Sequence, residues 1–259
     1  MISTLFAGVI APFFFEAAPE IRSTYVSLGK IVEDRPMQTT FLRAGYDAGD
    51  FGRFSVRNWD VSSLTDRRHD AHRRALYHTE FGPAWQYDLN VADDWRVATE
   101  LTRCWTLYRG FVNRHSDRTY HWWQISQSLE NPYLVPYYQF RRCFRGSDYV
   151  FCRAGLRRRF PFENGLYATP AVIFEGGNSR NQRRVLGPKG EDRHWNDGLA
   201  SVSFRLELGW RATDWLSAFV FVEQYEVVGG DERRVNRAST YRCAHNDWTL
   251  GGAGVRVKF

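Results

Sequence analysis

Apolar and polar residues alternate along most of this chain, in segments punctuated by turn residues. The clearest begins at Tyr77. Tyr77, Thr79, Phe81, Pro83, Trp85, Tyr87 and Leu89 share one face, while His78, Glu80, Gly82, Ala84, Gln86, Asp88 and Asn90 share the other. The turn V-A-D-D leads into Trp95, Val97, Thr99 and Leu101, opposite Arg96, Ala98, Glu100 and Thr102. Further on, Ala200, Val202, Phe204, Leu206, Leu208 and Trp210 alternate with Ser201, Ser203, Arg205, Glu207 and Gly209. A period of two over such lengths predicts strands with one apolar and one wet face. Several of these segments outrun the usual strand of a globular sheet and suit a tilted crossing of a bilayer.

The same reading applied from residue 22 onward gives twelve strands, the first over 22–28 and the last over 248–259. The links between them alternate in length. Short ones fall at 47–50, 91–94, 130–132 and 211–214, and long polar ones at 64–75, 111–118, 179–198 and 229–246. An even number of strands, with short turns at one end and long loops at the other, predicts an all-β, antiparallel up-and-down transmembrane barrel. Two links break the rule: 145–148 is short at the loop end, and 159–165 is long at the turn end. Pro170 interrupts the strand expected over 166–174, since proline cannot donate to a ladder.

The closing segment, W-T-L-G-G-A-G-V-R-V-K-F, sets Thr249, Gly251, Ala253, Val255, Val257 and Phe259 on one face, with Gly254, Arg256 and Lys258 on the other. It ends on an aromatic residue, with apolar residues two and four positions before it. This resembles the C-terminal signature of bacterial outer-membrane β-barrels. The resemblance implies an assembly signal at Gly254, Val255, Val257 and Phe259, read by the barrel-assembly machinery. The opening S-T-Y-V-S-L-G-K followed by M-Q-T-T-F-L-R-A-G-Y-D is similar to a family of uncharacterised outer-membrane proteins. Leu28-Gly29-Lys30 stands here where that family carries an Arg-Gly-like pair. The resemblance covers about residues 20–259 and implies no catalytic residues. It also implies a location in a Gram-negative outer membrane, in contact with its lipid and lipopolysaccharide.

Composition narrows the alternatives. Hydrophobic residues make up 43% of the chain, with mean hydropathy -0.49, and no apolar run is long enough for a membrane helix. The aromatic share of 16% suits a barrel, which needs two aromatic belts. The net charge of +6 comes almost wholly from arginine. Guanidinium forks bind phosphate and carboxylate, whereas no nucleic-acid-binding motif accompanies the charge, so nucleic acid is not an expected partner.

Residues 5–15 form a short apolar run ending near Ala17-Ala18, like the core of a secretory signal but without basic residues ahead of it. Residues 1–19 are therefore expected to be a signal peptide or N-terminal extension, with 20–259 as the barrel. A mature strand or plug is the other reading of the same run.

The wet face collects Arg53, Arg57, Glu80, Asp88, Arg96, Glu100, Arg205, Glu207, Glu223, Arg256 and Lys258 as candidate lumen residues, joined by Arg141, Arg153, Arg157 and Glu175. One reading is a narrow pore whose basic excess favours small anionic solutes, as charged rings do in channels. The other is a non-conducting barrel, structural or surface-binding, whose charges pair across and fill the interior. A soluble secreted β-sandwich or lectin-like module, and a barrel lipid hydrolase, are the remaining classes. No Ser-His-acid arrangement stands out, so no catalytic residue is assigned.

Basic loops at Arg67-Arg68, Arg73-Arg74, Arg183-Arg184 and Arg233-Arg234 are candidate contacts for lipid phosphates. The four cysteines, Cys104, Cys143, Cys152 and Cys243, lack metal-ligand spacing, and His69-Asp70-x-His72 reads as loop surface. Neither a metal nor a cofactor is expected. Cys143 and Cys152 flank the turn R-G-S-D and would face each other as a disulfide if that turn centres on Ser147-Asp148.

Overall fold

In the computed structural model, the described residues are 13–27, 30–33, 36–64, 77–109, 118–145, 150–178, 198–228 and 247–259. The alternating segments become long antiparallel strands. These are β1 (Phe13–Arg22), β4 (Met37–Asp47), β5 (Arg53–Ser63), β6 (Tyr77–Ala92), β7 (Trp95–Arg109) and β8 (Arg118–Glu130). The series continues with β9 (Val135–Arg145), β10 (Val150–Arg157), β12 (Leu166–Gly177), β13 (Gly198–Arg211), β14 (Leu216–Val227) and β15 (Asp247–Lys258). Each pairs with the next in sequence, and β15 pairs back onto β1, so the twelve long strands form a closed cylinder. Three short strands lie off this ring. β2 (Tyr25–Ser27) and β3 (Lys30–Glu33) make a small hairpin, and β11 (Phe160–Pro161) edges the turn before β12.

The cylinder starts earlier than residue 20. Phe13 to Arg22 pair along their length with β4, from Phe13↔Tyr46 to Arg22↔Met37, and on the other side with β15. The first barrel strand is thus not 22–28, whose backbone passes into β2. The segment 13–19 escapes an alternation reading because three consecutive phenylalanines look like an apolar run. In the ring, Phe13 and Phe15 face outward while Phe14 faces in over Gly45, its cross-strand partner. Residues 1–12 lie outside the described residues.

The exterior is apolar. Phe204 is 63% exposed and Val56 61%, in company with Leu206, Leu208, Val220 and Val222. A protein in water does not present so broad an apolar surface. One sheet closed on itself, greasy side outward, replaces the alternative of a soluble sandwich, whose apolar faces would be packed inside. Pro170 is accommodated on this outer face, opposite Leu206, and β12 runs through it. The short links after β4, β6, β8 and β13 lie at one end, together with Phe13 and Phe259, while the one between β9 and β10 lies at the other. The end with Phe259 carries an aromatic girdle. Phe259 stacks on Trp215 with ring centroids 5.4 Å apart, and its backbone N–H donates to Phe15 O at 2.9 Å. Trp85 and Trp210 donate their indole N–H groups to the carbonyls of Phe51 and Asn164 at 2.9 and 3.1 Å. Ring body in lipid and polar edge satisfied is how such residues sit at a membrane interface.

Inside, aromatic rings lie over glycines on the facing strand. Phe219 and Phe221 sit opposite Gly254 and Gly252, and a Cβ on either glycine would come within 2.7 Å of a ring atom. Gly254→Leu is expected to lower stability by roughly 1–3 kcal/mol through overpacking. Gly251→Ala, where a Cβ meets only Phe221 O at 3.4 Å, should be near neutral. Urea unfolding of the refolded protein, followed by heat-modifiable gel mobility, checks both.

Candidate functional site

The interior of the cylinder is where the charged side chains converge. Arg57 Nη1 lies 2.8 Å from Glu100 Oε1, and Arg43, reaching from β4 to β7, lies 3.0 Å from the other oxygen of Glu100. Arg53 and Arg96 both hold Asp88, at 2.9 and 3.1 Å. Arg141 spans from β9 to Glu80 on β6 at 3.1 Å, and its guanidinium lies 3.7 Å from the centre of the Trp122 ring. His78 stands 3.3 Å from the same carboxylate.

The far wall repeats the scheme. Arg256 makes a two-pronged contact with Glu207, at 2.6 and 2.8 Å, and Arg205 lies 3.4 Å from Glu207 and 3.7 Å from Glu223. Arg153 donates to Glu175 at 2.6 Å, Arg157 pairs with Glu130 at 2.8 Å, and Lys258 with Glu16 at 3.0 Å. Links between strands two or three apart in the ring can be made only through the lumen.

All eleven lumen candidates from the sequence therefore point inward, each in an ion pair. So do Arg141, Arg153, Arg157 and Glu175. Sequence reasoning missed Arg43, Glu16, Glu20, Arg22 and Glu130. Glu16, Glu20 and Arg22 lie in or beside the segment set aside as a leader. Arg43 shares the inward face of Met37, Thr39 and Phe41, an alternation visible in the sequence.

The lumen is uneven along its axis. Toward the loop end it is packed: Trp122 is 1% exposed and Glu80 5%, in a layer that also buries Met37, Val61, Cys104, Cys143, Phe151, Tyr225 and Leu250. Glu175 is bonded there by Tyr225 Oη at 3.3 Å. Toward the turn end the charges meet water, with the side chains of Lys258 64% and Arg96 47% exposed. Arg159 adds a guanidinium over the Tyr167 ring at 3.7 Å. Dispersing ion pairs through a wet vestibule costs little, whereas the buried pairs must be nearly complete to offset their desolvation.

The expected Cys143–Cys152 bridge is absent. Val150 pairs with Arg142 and Cys152 with Phe140, so paired residue numbers have an even sum, and an odd- and an even-numbered residue cannot face each other. Cys143 points into the packed layer beside Cys104 and Trp122, and Cys152 points outward; neither is in a disulfide. The register across this turn differs from one centred on Ser147-Asp148, and a slip by an odd number of residues inverts the faces. Cys243, the four paired-arginine loops and the histidines at 69 and 72 lie outside the described residues. No group of metal-ligating side chains occurs among the described residues.

No protein-family model matches the sequence, and no curated protein does. Solved structures do match. An outer-membrane channel of Pseudomonas putida F1 is similar over 96% of this chain and 95% of its own, at 11% identity and a TM-score of 0.57. A KdgM porin aligns over 95% and 99% at 10% identity and a TM-score of 0.49, and the outer-membrane protein OprD of Pseudomonas aeruginosa over 96% and 66% at 11% and 0.44. The likeness to the Pseudomonas putida channel shows the fold, a bacterial outer-membrane barrel. A closed antiparallel cylinder with an apolar exterior and aromatic girdle belongs in the outer membrane, short turns to the periplasm and loops outward.

Because Glu80 and Arg141 are mutually enclosed, Arg141→Met is expected to cost roughly 3–5 kcal/mol by stranding a buried carboxylate. The double variant Glu80→Gln/Arg141→Met should recover most of that loss. Denaturant titration of the wild type, Arg141→Met, Glu80→Gln and the double variant measures the coupling.

Proposed function

We propose that this chain is an outer-membrane channel whose wet, arginine-lined periplasmic vestibule selects small anionic solutes and whose packed outer layer limits the flux. The observation that carries the reading is the lumen's asymmetry. Arg53 and Arg96 share the single carboxylate of Asp88, and Arg96, Arg157, Arg256 and Lys258 keep much of their surface in water. Water-facing cations with shared or partial pairing leave positive potential in a low-dielectric tube, which concentrates anions there. Gly254, Val255, Val257 and Phe259, on a terminal strand that closes the ring, are the proposed signal for the barrel-assembly machinery. Lipopolysaccharide is the proposed lipid neighbour at the loop end. A channel uses no cofactor and needs no catalytic residue.

A second reading has its own support. The layer around Trp122, Tyr225 and the Glu80–Arg141 pair is dense, as expected of a non-conducting structural or surface-binding barrel. Planar-bilayer recording separates the two. The channel reading expects small single-channel steps and a reversal potential favouring chloride over potassium. Arg96→Glu with Lys258→Glu should move that potential toward potassium. Absence of ion steps from pure refolded protein would retire the pore in favour of the closed barrel.

A further inference from the structure

The exterior carries a cationic feature that the lumen does not use. Arg103 continues the outward face of Trp95, Val97, Thr99 and Leu101 on β7, and its side chain is exposed on the lipid side. Its guanidinium lies 5.5 Å from the ring of Trp105 and 5.4 Å from that of Trp123. Trp123 stands directly opposite Arg103 on β8, and Arg142 directly opposite Trp123 on β9. Cation, indole and cation thus form a level row across three strands, the two arginine backbones about 10 Å apart, or two strand spacings. Arg142 lies over Phe144 at 5.5 Å.

Among the described residues no carboxylate pairs with Arg103. Asp60, an acid on the same exterior, is engaged by Asn58 and by Thr79, the latter at 2.6 Å. A guanidinium held on a lipid face between two indoles, with no carboxylate partner among the described residues, is unfavourable unless an anion from the lipid meets it. β7 rises from its periplasmic turn at Trp95 to its outer end at Arg109, so the row lies in the outer half of the wall.

We propose that Arg103 and Arg142, with Trp123 between them, form a docking site on the barrel's outer wall for a phosphate group of lipid A in the outer leaflet. Two guanidiniums at this separation can close on one phosphate from both sides, each supplying forked N–H donors. The exposed rings of Trp123 and Phe144 offer apolar flanks for acyl chains. The proposal rests on the outer-membrane reading above, because that orientation makes lipid A, rather than a phospholipid of the inner leaflet, the headgroup at this height.

Native mass spectrometry of the full refolded barrel in mild detergent tests it, with lipid A, dephosphorylated lipid A and phosphatidylglycerol added separately. Heat-modifiable gel mobility first establishes that each protein is a folded barrel. The wild type should retain lipid A and release the dephosphorylated form. Arg103→Leu/Arg142→Leu should retain about tenfold less, with Arg103→Lys intermediate because an ammonium lacks the fork. A double variant that folds and retains lipid A like the wild type overturns the site, as does equal retention of the dephosphorylated lipid. Phosphatidylglycerol held as tightly, with the same dependence on the two arginines, overturns the commitment to lipid A. A wild-type chain that shows no heat-modifiable form overturns the barrel reading instead.

Discussion

Everything in this structure depends on the pairing of β1 with β15. In hydrocarbon, an unpaired backbone N–H or C=O costs several kcal/mol, roughly the value of a full hydrogen bond in an apolar medium. A sheet crossing a membrane can meet that demand only by having no edge. Here the first described strand and the last meet in register from Glu16↔Lys258 to Arg22↔Gly252, and Phe15 and Phe259 exchange backbone hydrogen bonds at the rim. Closure also creates the interior. Only in a ring do the wet faces of β6 and β9, or of β4 and β7, confront one another.

From closure follows the electrostatics. A cylinder of this size gathers arginines and carboxylates from every wall into a confined space, and they settle into a network rather than isolated pairs. Glu100 serves Arg43 and Arg57, Asp88 serves Arg53 and Arg96, and Glu207 serves Arg205 and Arg256. Such shared acids tie strands that are not neighbours in the ring, so the network braces the wall as it fills the lumen. The dense layer toward the loop end and the exposed charges toward the turn end are two regimes of the same network, one enclosed and one open.

The strands were legible where alternation was strict. β13 and β6 could be read residue by residue, because each side chain chooses between lipid and water. β1 was not legible, since an inward Phe14 between outward Phe13 and Phe15 erases the alternation, and its inward position is set by Gly45 on another strand. The same mortise of ring over glycine, at Phe219–Gly254 and Tyr167–Gly209, is a pairing of distant residues that a single strand does not reveal. The inward charges could be listed from parity, but not their partners: which acid meets Arg141 depends on the curvature of the closed sheet. Cys143 and Cys152 do not face each other because the β9–β10 register is offset by an odd number of residues from one centred on Ser147-Asp148, which the sequence of the two strands does not reveal. Arg103 was visible all along as a cation in the apolar register of β7; its significance comes from Trp123 and Arg142 on the strands beside it.

The closure itself can be measured directly. In a cysteine-free background, Ala17→Cys and Val257→Cys place two thiols on directly opposed residues of the first and last strands. Oxidation of the protein in native outer membranes should join them into an internal disulfide, read as a shifted mobility of the heated chain on gels that a reductant reverses. If the pair stays reduced while a control pair at Val220 and Ala253, opposed on β14 and β15, cross-links readily, the sheet is open at that seam and the membrane barrel does not exist.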